Sequence, residues 1–182
     1  MSTVEKLSII SQDDYLAGEL CSEVRHEYVA GQIFAMVGGA WAHNVITGNV
    51  FTALHNHLRG KPCRVFMSDM KVKSEKANAY YYPDVVVSCE TPSKHATFLE
   101  EPVLIIEVLS ASTESIDRRE KRFAYQAIRS LQEYVLIHQN KRKVEIYRSE
   151  TESSWQLETY EYDEKVFFKV ADLDVPMELI YA

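Results

Sequence analysis

The chain has 182 residues and a net charge of −7, with 20 Lys and Arg against 27 Asp and Glu. That length corresponds to one domain, so residues 1–182 are expected to fold as a single unit. Hydrophobic residues at 46% and charged residues at 26% argue against disorder, and the acidic balance argues against a broad, non-specific grip on nucleic acid.

Cys21, Cys63 and Cys89 form no CxxC pair, which predicts three reduced thiols in a reducing, cytoplasmic compartment. Met1 to Glu5 lacks the basic n-region and apolar core of a signal peptide. The longest apolar stretch, Val103 to Leu109, is interrupted by Glu107 and is far too short to span a bilayer.

Ser11-Gln12-Asp13-Asp14 reads as a helix start, with a short helix to about Leu20. Arg25 to Ala30 and Gln32 to Val37 read as two strands about a turn at Ala30-Gly31. From Ala42 to Leu58, residues Val45, Ile46, Val50, Leu54 and Leu58 recur at helical spacing, and Arg59-Gly60 ends that helix. Cys63 to Val72 and Tyr80 to Cys89 read as strands joined by a turn at Lys76-Ala77-Asn78. Pro83 lets the second pair fully only after it. Val103 to Leu109 is apolar on both faces, as a buried central strand requires. Ser115 to about Arg129 reads as a helix with Ile116, Phe123, Ala127 and Ile128 inward. Glu133 to His138 and Val144 to Arg148 are further strands, and Trp155 to Tyr162 with Val166 to Val170 reads as an antiparallel tail. The order implies an α/β class fold, a mixed sheet with helices packed on it.

Glu107 stands where such a strand should hold another Ile or Val. A lone buried carboxylate costs several kcal/mol or moves its pKa to escape the charge. Ile105, Glu107 and Leu109 share one strand face, and Asp84 stands just ahead of Val85-Val86-Val87. If the two strands pair, both carboxylates converge, and a divalent cation resolves their repulsion. Mg²⁺ is held by one or two carboxylates with waters and phosphate, and Mn²⁺ is its usual substitute. Asp117, Lys121 and Tyr125 are spaced as one stripe on the following helix, from which Lys121 can face the carboxylates and stabilise charge on a phosphate.

The sequence YYYPDVVVSCE, then LIIEVLSASTESIDRREKRFAY and SLQEYVLIH, with RHEYVAGQIFAM, Ala42-His43-Asn44 and SDMKV upstream, resembles the PD-(D/E)XK nuclease superfamily. In particular it resembles a large bacterial restriction-endonuclease-like group of mostly unassigned biological role. The resemblance runs from about Asp14 to the C-terminus. It implies a restriction-endonuclease-like core with extra antiparallel strands, catalytic Asp84, Glu107 and Lys121, and a metal held by Asp84 and Glu107. Glu27 enters as a supporting acid, with His43 and Asp117 as further supporting residues. Arg118 and Arg122 flank Lys121 as phosphate contacts. The superfamily expects a lysine two residues after Glu107, where this chain has Leu109; in the group it resembles, that lysine has moved to the helix position of Lys121. Asp69-Met70-Lys71 spells D-x-K but precedes Pro83-Asp84, and is set aside.

Structural alternatives stand beside these roles. Asp84 also reads as a turn residue after proline, Glu107 as half of a buried salt bridge to arginine, and Lys121 as a solvated lysine in a charged helix. His43 is also a common helix-start residue. His55 and His57 are two apart on a helix and face different ways, so they are no metal pair. The eleven tyrosines are most simply core and sheet-face residues. The reading at this level is a Mg²⁺-dependent endonuclease acting on DNA, as a homodimer when both strands are cut. Its rivals are a non-catalytic DNA-binding or assembly module that keeps the fold, and a phosphodiesterase for RNA.

Overall fold

The computed structural model describes residues 9–151 and 154–182; the expectation about a signal peptide at Met1 to Glu5 lies outside them. Ser11 caps the first helix by accepting the Asp14 N–H at 3.1 Å, and α1 runs Gln12–Glu19. β1 (His26–Val29) and β2 (Gln32–Ala35) form a hairpin. Its turn places Ala30 at φ 48° and Gly31 at φ 91°, the left-handed conformation a tight hairpin needs and glycine adopts without strain. α2 (Trp41–Leu58) follows and stops before Gly60 at φ 79°. Then come β3 (Arg64–Met67), β4 (Lys71–Ser74), β5 (Ala79–Tyr81), β6 (Val85–Ser88), β7 (Phe98–Leu99) and β8 (Pro102–Leu109). α3 (Glu114–Ile116), a π-helical turn (Asp117–Lys121) and α4 (Arg122–Gln126) form one continuous rod, followed by β9 (Glu133–His138) and β10 (Lys143–Thr151). β11 (Ser154–Glu161), β12 (Lys165–Phe168), β13 (Leu173–Pro176) and α5 (Met177–Ile180) complete the chain.

The strands form a six-stranded sheet in the order β11-β10-β9-β8-β6-β3, a five-stranded sheet β2-β1-β5-β4-β7, and the pair β12-β13. β8 and β9 are parallel, and β6 lies antiparallel to β8. The class is mixed α/β, as the element order predicts. Alternation along β8 divides the core. Leu104, Ile106 and Val108 pack with α2 and α5, while Ile105 and Leu109 pack with α4 and the smaller sheet.

Two predicted strands are in fact four. The chain bends at Ser68, which takes φ 49°, and again at Tyr82-Pro83-Asp84. β3 and β6 therefore pair in the large sheet, while β4 and β5 pair in the small one. Pro83 supplies no N–H for a continuous ladder, and the Ser68 N–H donates to the Asp84 carbonyl at 3.3 Å across the bend. The tail also differs from expectation: β11 pairs β10, and β12 pairs β13. The helix expected from Ser115 to Arg129 ends at Gln126, and Ile116 and Phe123 face solvent instead of the core.

The cysteine expectation is corrected. Cys63 and Cys89 are joined by a disulfide, and Cys21 is free and exposed. Arg64 pairs with Ser88, so the two cysteines stand opposite each other at the end of the β3–β6 ladder. Their 26-residue separation hides that proximity. The ground for a reducing compartment falls with it. No helix among the described residues is long and apolar enough to cross a membrane.

Candidate active site

Register brings the first two acids together. Val85 pairs with Ile106 and Val86 with Ile105, so the next step of the ladder sets Asp84 opposite Glu107. Asp84 shares the face of Val86, and Glu107 that of Ile105, so both point into the seam between the two sheets. The Val108 N–H donates to Asp84 Oδ2 at 2.7 Å. His43 Nε2, from the first turn of α2, stands 3.2 Å from the same oxygen.

The helical rod supplies the other wall. Asp117 and Lys121 are the two buried residues of its π-helical turn, and Tyr125 lies one turn further on. An ordinary α-helical turn fans residues at 3.6 per turn; the wider π turn keeps Asp117 and Lys121 more nearly in line, and such turns recur at functional sites. Lys121 is only 6% exposed. Its ammonium lies 2.8 Å from Glu27 Oε1, 3.3 Å from Glu107 Oε1 and 3.6 Å from Asp117 Oδ1. Tyr125 donates its hydroxyl to Glu107 Oε1 at 3.1 Å. Glu27 reaches in from β1 and also accepts the Tyr82 N–H at 3.2 Å, which ties β1 to the bend before Asp84.

Charge in this seam is unbalanced. Asp84, Glu107, Asp117 and Glu27 face one lysine and one histidine. Burial pushes the Glu107 carboxyl well above its ordinary range; Lys121 opposes that, and Asp117, Asp84 and Glu27 add to it. Burial also raises Asp117, against Lys121 and a Thr113 hydrogen bond. Burial works against the charge on Lys121, but Glu107, Glu27 and Asp117 together hold it above the ordinary lysine value. The two directions are compatible: Lys121 sees three anions, whereas Glu107 sees one cation, several anions and little water. Asp84 holds His43 above its ordinary value, with burial opposing.

The structure brings together Asp84, Glu107, Lys121, Glu27, His43 and Asp117. It takes Lys121 out of the solvated class and gives Glu107 a lysine, not an arginine, as partner. The flanking arginines point elsewhere. Arg118 bonds Glu114 at 2.9 Å and Glu145 at 2.6 Å, and its NH2 group lies 3.0 Å from His138 Nε2. Arg122 lies over the rings of Phe123 and Tyr147. Tyr125 stood in the helix stripe without an assigned role; its position four residues after Lys121 was the available signal.

Among the described residues, no three His, Cys, Asp or Glu side chains are arranged as a ready metal-ligand set. The donors at the seam are nonetheless carboxylate oxygens. Asp117 Oδ1 is buried and accepts no hydrogen bond among the described residues, with the Lys121 ammonium 3.6 Å away, and the anionic excess persists with Lys121 in place. Two hard carboxylates with waters suit Mg²⁺, so Asp84 and Glu107 fit that ion's chemistry, while a soft or imidazole-rich site is absent from the seam.

The chain resembles known proteins over nearly its whole length. Residues 13–173 match the Uma2 family, described as "Putative restriction endonuclease". The Synechocystis protein slr1290 is 34% identical over 173 residues, covering 94% of this chain and 91% of its own. A second Synechocystis protein, sll1609, is 32% identical over 160 residues, covering 86% and 90%. A crystal structure from Anabaena variabilis, of a "putative nuclease belonging to DUF820", superposes with TM-score 0.77 at 18% identity. It covers 94% of this chain and 97% of that one. At that identity it speaks for the fold. With the family match spanning the acids of the seam and the rod that carries Lys121, this chain belongs to the Uma2 family, a restriction-endonuclease-like branch of the PD-(D/E)XK superfamily.

Proposed function

We propose that this protein is a divalent-metal-dependent phosphodiesterase acting on DNA, with Asp84 and Glu107 as metal-holding residues. The observation that carries this is the opposed pair Asp84 and Glu107, left with more negative charge than Lys121 can neutralise. Mg²⁺, or Mn²⁺ in its place, would supply a polarised phosphate and a bound water of lowered pKa. The chain's own groups do the rest. The Val108 N–H and His43 fix Asp84 in one orientation, and Tyr125 fixes Glu107. Lys121, charged and anchored by Glu27, serves as an electrostatic stabiliser of a phosphate rather than a proton acceptor, because its pKa is held high. Arg118 and Arg122 reach a phosphate only by giving up the partners they have here. Cutting both strands of a duplex takes two such sites, which a homodimer supplies.

One observation favours a second reading, a DNA-binding module without catalysis: Lys121 already bridges Glu107, and no three-residue ligand set is present among the described residues. Calorimetric titration with Mn²⁺ separates the two. The parent protein should bind the ion, and Asp84→Ala and Glu107→Ala should not. Undiminished binding in either folded variant removes the metal assignment. Metal binding without nicking of plasmid, or cleavage of single strands or RNA, in Mg²⁺ or Mn²⁺ favours the non-catalytic module.

A further inference from the structure

The helical rod beside the acids changes its hydrogen bonding partway along. Asp117 enters on an ordinary α-helical bond, its N–H donating to the Thr113 carbonyl at 2.9 Å. The rod leaves in the same way, with the Ala127 N–H donating to the Phe123 carbonyl at 3.2 Å. Between them, Asp117–Lys121 is π-helical. A π turn bonds each carbonyl to the N–H five residues on instead of four, and is rare. Closing it to α geometry would take up one residue and turn the two parts of the rod against each other by about 100°. That rotation would carry the Lys121 ammonium away from Glu27 and Glu107, which it meets at 2.8 and 3.3 Å.

A side chain from outside the rod meets the turn at its first residue. Tyr134 donates its hydroxyl to the Asp117 carbonyl at 2.9 Å. It stands on β9 opposite Ile105, two residues before Glu107, so it rises on the same sheet face as Glu107. It is sealed from water at 0% exposure. Its ring lies 5.4 Å from that of Tyr125, whose hydroxyl holds Glu107. Tyr134 therefore touches the rod on both sides of Lys121. Any buried tyrosine needs a partner for its hydroxyl. Here the partner is the carbonyl at which the bonding changes, and the same ring braces Tyr125 one turn past Lys121. Burial, with Glu107, Asp117 and Asp84 close by, holds the hydroxyl well above its ordinary value, so it remains a donor.

We propose that Tyr134 is a positioning residue: its hydroxyl holds the π turn at the Asp117 carbonyl and thereby fixes Lys121 on the acids. The inference rests on the proposed function only in taking Lys121 as the group that faces the substrate phosphate. Tyr134→Phe removes the hydroxyl and keeps the ring. In the full-length protein without metal, hydrogen exchange at the Lys121 and Arg122 amides should quicken about 10-fold, while β8 and β9 keep the parent's rates. In plasmid cleavage, kcat should fall on the order of 10-fold with KM unchanged. In the Lys121→Ala background, Tyr134→Phe should cost nothing further, because Tyr134 acts through that lysine. Exchange that quickens equally through β8 and β9, or a loss of cleavage that multiplies with that of Lys121→Ala, makes Tyr134 an ordinary core residue and overturns the proposal. So does parent exchange at Lys121 and Arg122, or parent kcat, in Tyr134→Phe. Exchange and cleavage separate this inference from the one it rests on. A parent that cleaves nothing in Mg²⁺ or Mn²⁺ removes the phosphodiesterase, and local quickening still supports Tyr134 as the holder of the turn. An active parent with no local quickening in Tyr134→Phe does the reverse.

Discussion

Two glutamates sit on neighbouring parallel core strands, and both are all but sealed from water: Glu107 on β8 at 3% exposure and Glu133 on β9 at 1%. Their surroundings differ. Glu133 accepts from Arg148 Nε at 2.8 Å and from the backbone N–H groups of Lys169 and Val170 at 3.1 and 3.0 Å, so both its oxygens are engaged. Arg148 is in turn satisfied by Glu158, by the Phe167 carbonyl and by the Tyr160 hydroxyl. This is a closed account of donors and charges that ties β9 and β10 to the β12 turn. Among the described residues Glu107 has two donors, Lys121 and Tyr125, both on Oε1, and its nearest neighbours include further acids. Burial alone therefore does not separate a structural carboxylate from a functional one. The separation lies in whether the fold itself supplies the compensating charge.

The largest expected effect on stability belongs to the closed cluster. Arg148→Ala leaves Glu133 buried with the backbone donors of Lys169 and Val170, and breaking a buried pair costs roughly 3–5 kcal/mol. Urea unfolding measures it, and Mn²⁺ titration of the same variant should match the parent, because Arg148 bonds none of the residues of the seam. A loss below about 1 kcal/mol would show that the backbone donors suffice and would erase the contrast with Glu107.

Lys121 comes next, and its signature is different in kind. Lys121→Ala should cut DNA cleavage by a factor on the order of 10²–10³, the usual effect of losing one electrostatic stabiliser. It removes the cation from three carboxylates, so the apo protein should lose stability while its Mn²⁺ affinity holds or rises. Saturating Mn²⁺ should then restore part of the loss, by about 2.7 kcal/mol at a hundredfold excess over Kd. Lys121→Arg should rescue cleavage only in part, since a planar fork does not reproduce a compact ammonium. Wild-type cleavage by Lys121→Ala takes the residue out of the mechanism.

How far the sequence carries depends on which interactions are local. An apolar strand interrupted by Glu107 and an acid after Pro83 are visible in one dimension, and so is the i, i+4, i+8 stripe of Asp117, Lys121 and Tyr125. Helical spacing and the Ala30-Gly31 turn likewise gave α2 and the first hairpin. What was not legible depends on register and on bends. Nothing in Cys63 to Val72 marks the left-handed Ser68, yet that residue sends β3 and β4 into different sheets. The Cys63–Cys89 bond follows from the Arg64–Ser88 register, which no spacing rule encodes. The present partners of Arg118 and Arg122 were hidden for a related reason. Their sequence proximity to Lys121 says nothing of Glu145 and Tyr147, which arrive from β10.

The smallest expected change is the most discriminating. Glu107→Gln keeps the shape of the side chain and its acceptor oxygen for Tyr125, and it removes one charge from a seam that has too many. Lys121 retains Glu27 at 2.8 Å and Asp117 at 3.6 Å, so no buried cation is orphaned. Apo stability at neutral pH should therefore change by less than about 1 kcal/mol, while Mn²⁺ binding is lost. The pH dependence gives the same contrast a sign. Glu107 and Asp117 have folded pKa values raised above the ordinary 4.5 and 3.8, so across that interval the folded state binds more protons than the unfolded one. Stability then falls as pH rises from those ordinary values through the raised ones. His43, raised above 6.5 by Asp84, adds a loss in the same direction as pH climbs past 6.5, whereas Lys121 loses its contribution only above 10.5. Glu107→Gln deletes the contribution of the carboxyl raised well above its ordinary range, so its apo stability should decline less steeply than the parent's as pH rises from 4.5. Denaturant melts of both proteins at several pH values in chelator measure the difference. Parallel pH profiles, or a collapse of several kcal/mol in Glu107→Gln, would place Glu107 in the same class as Glu133, a structural carboxylate whose charge the fold already satisfies.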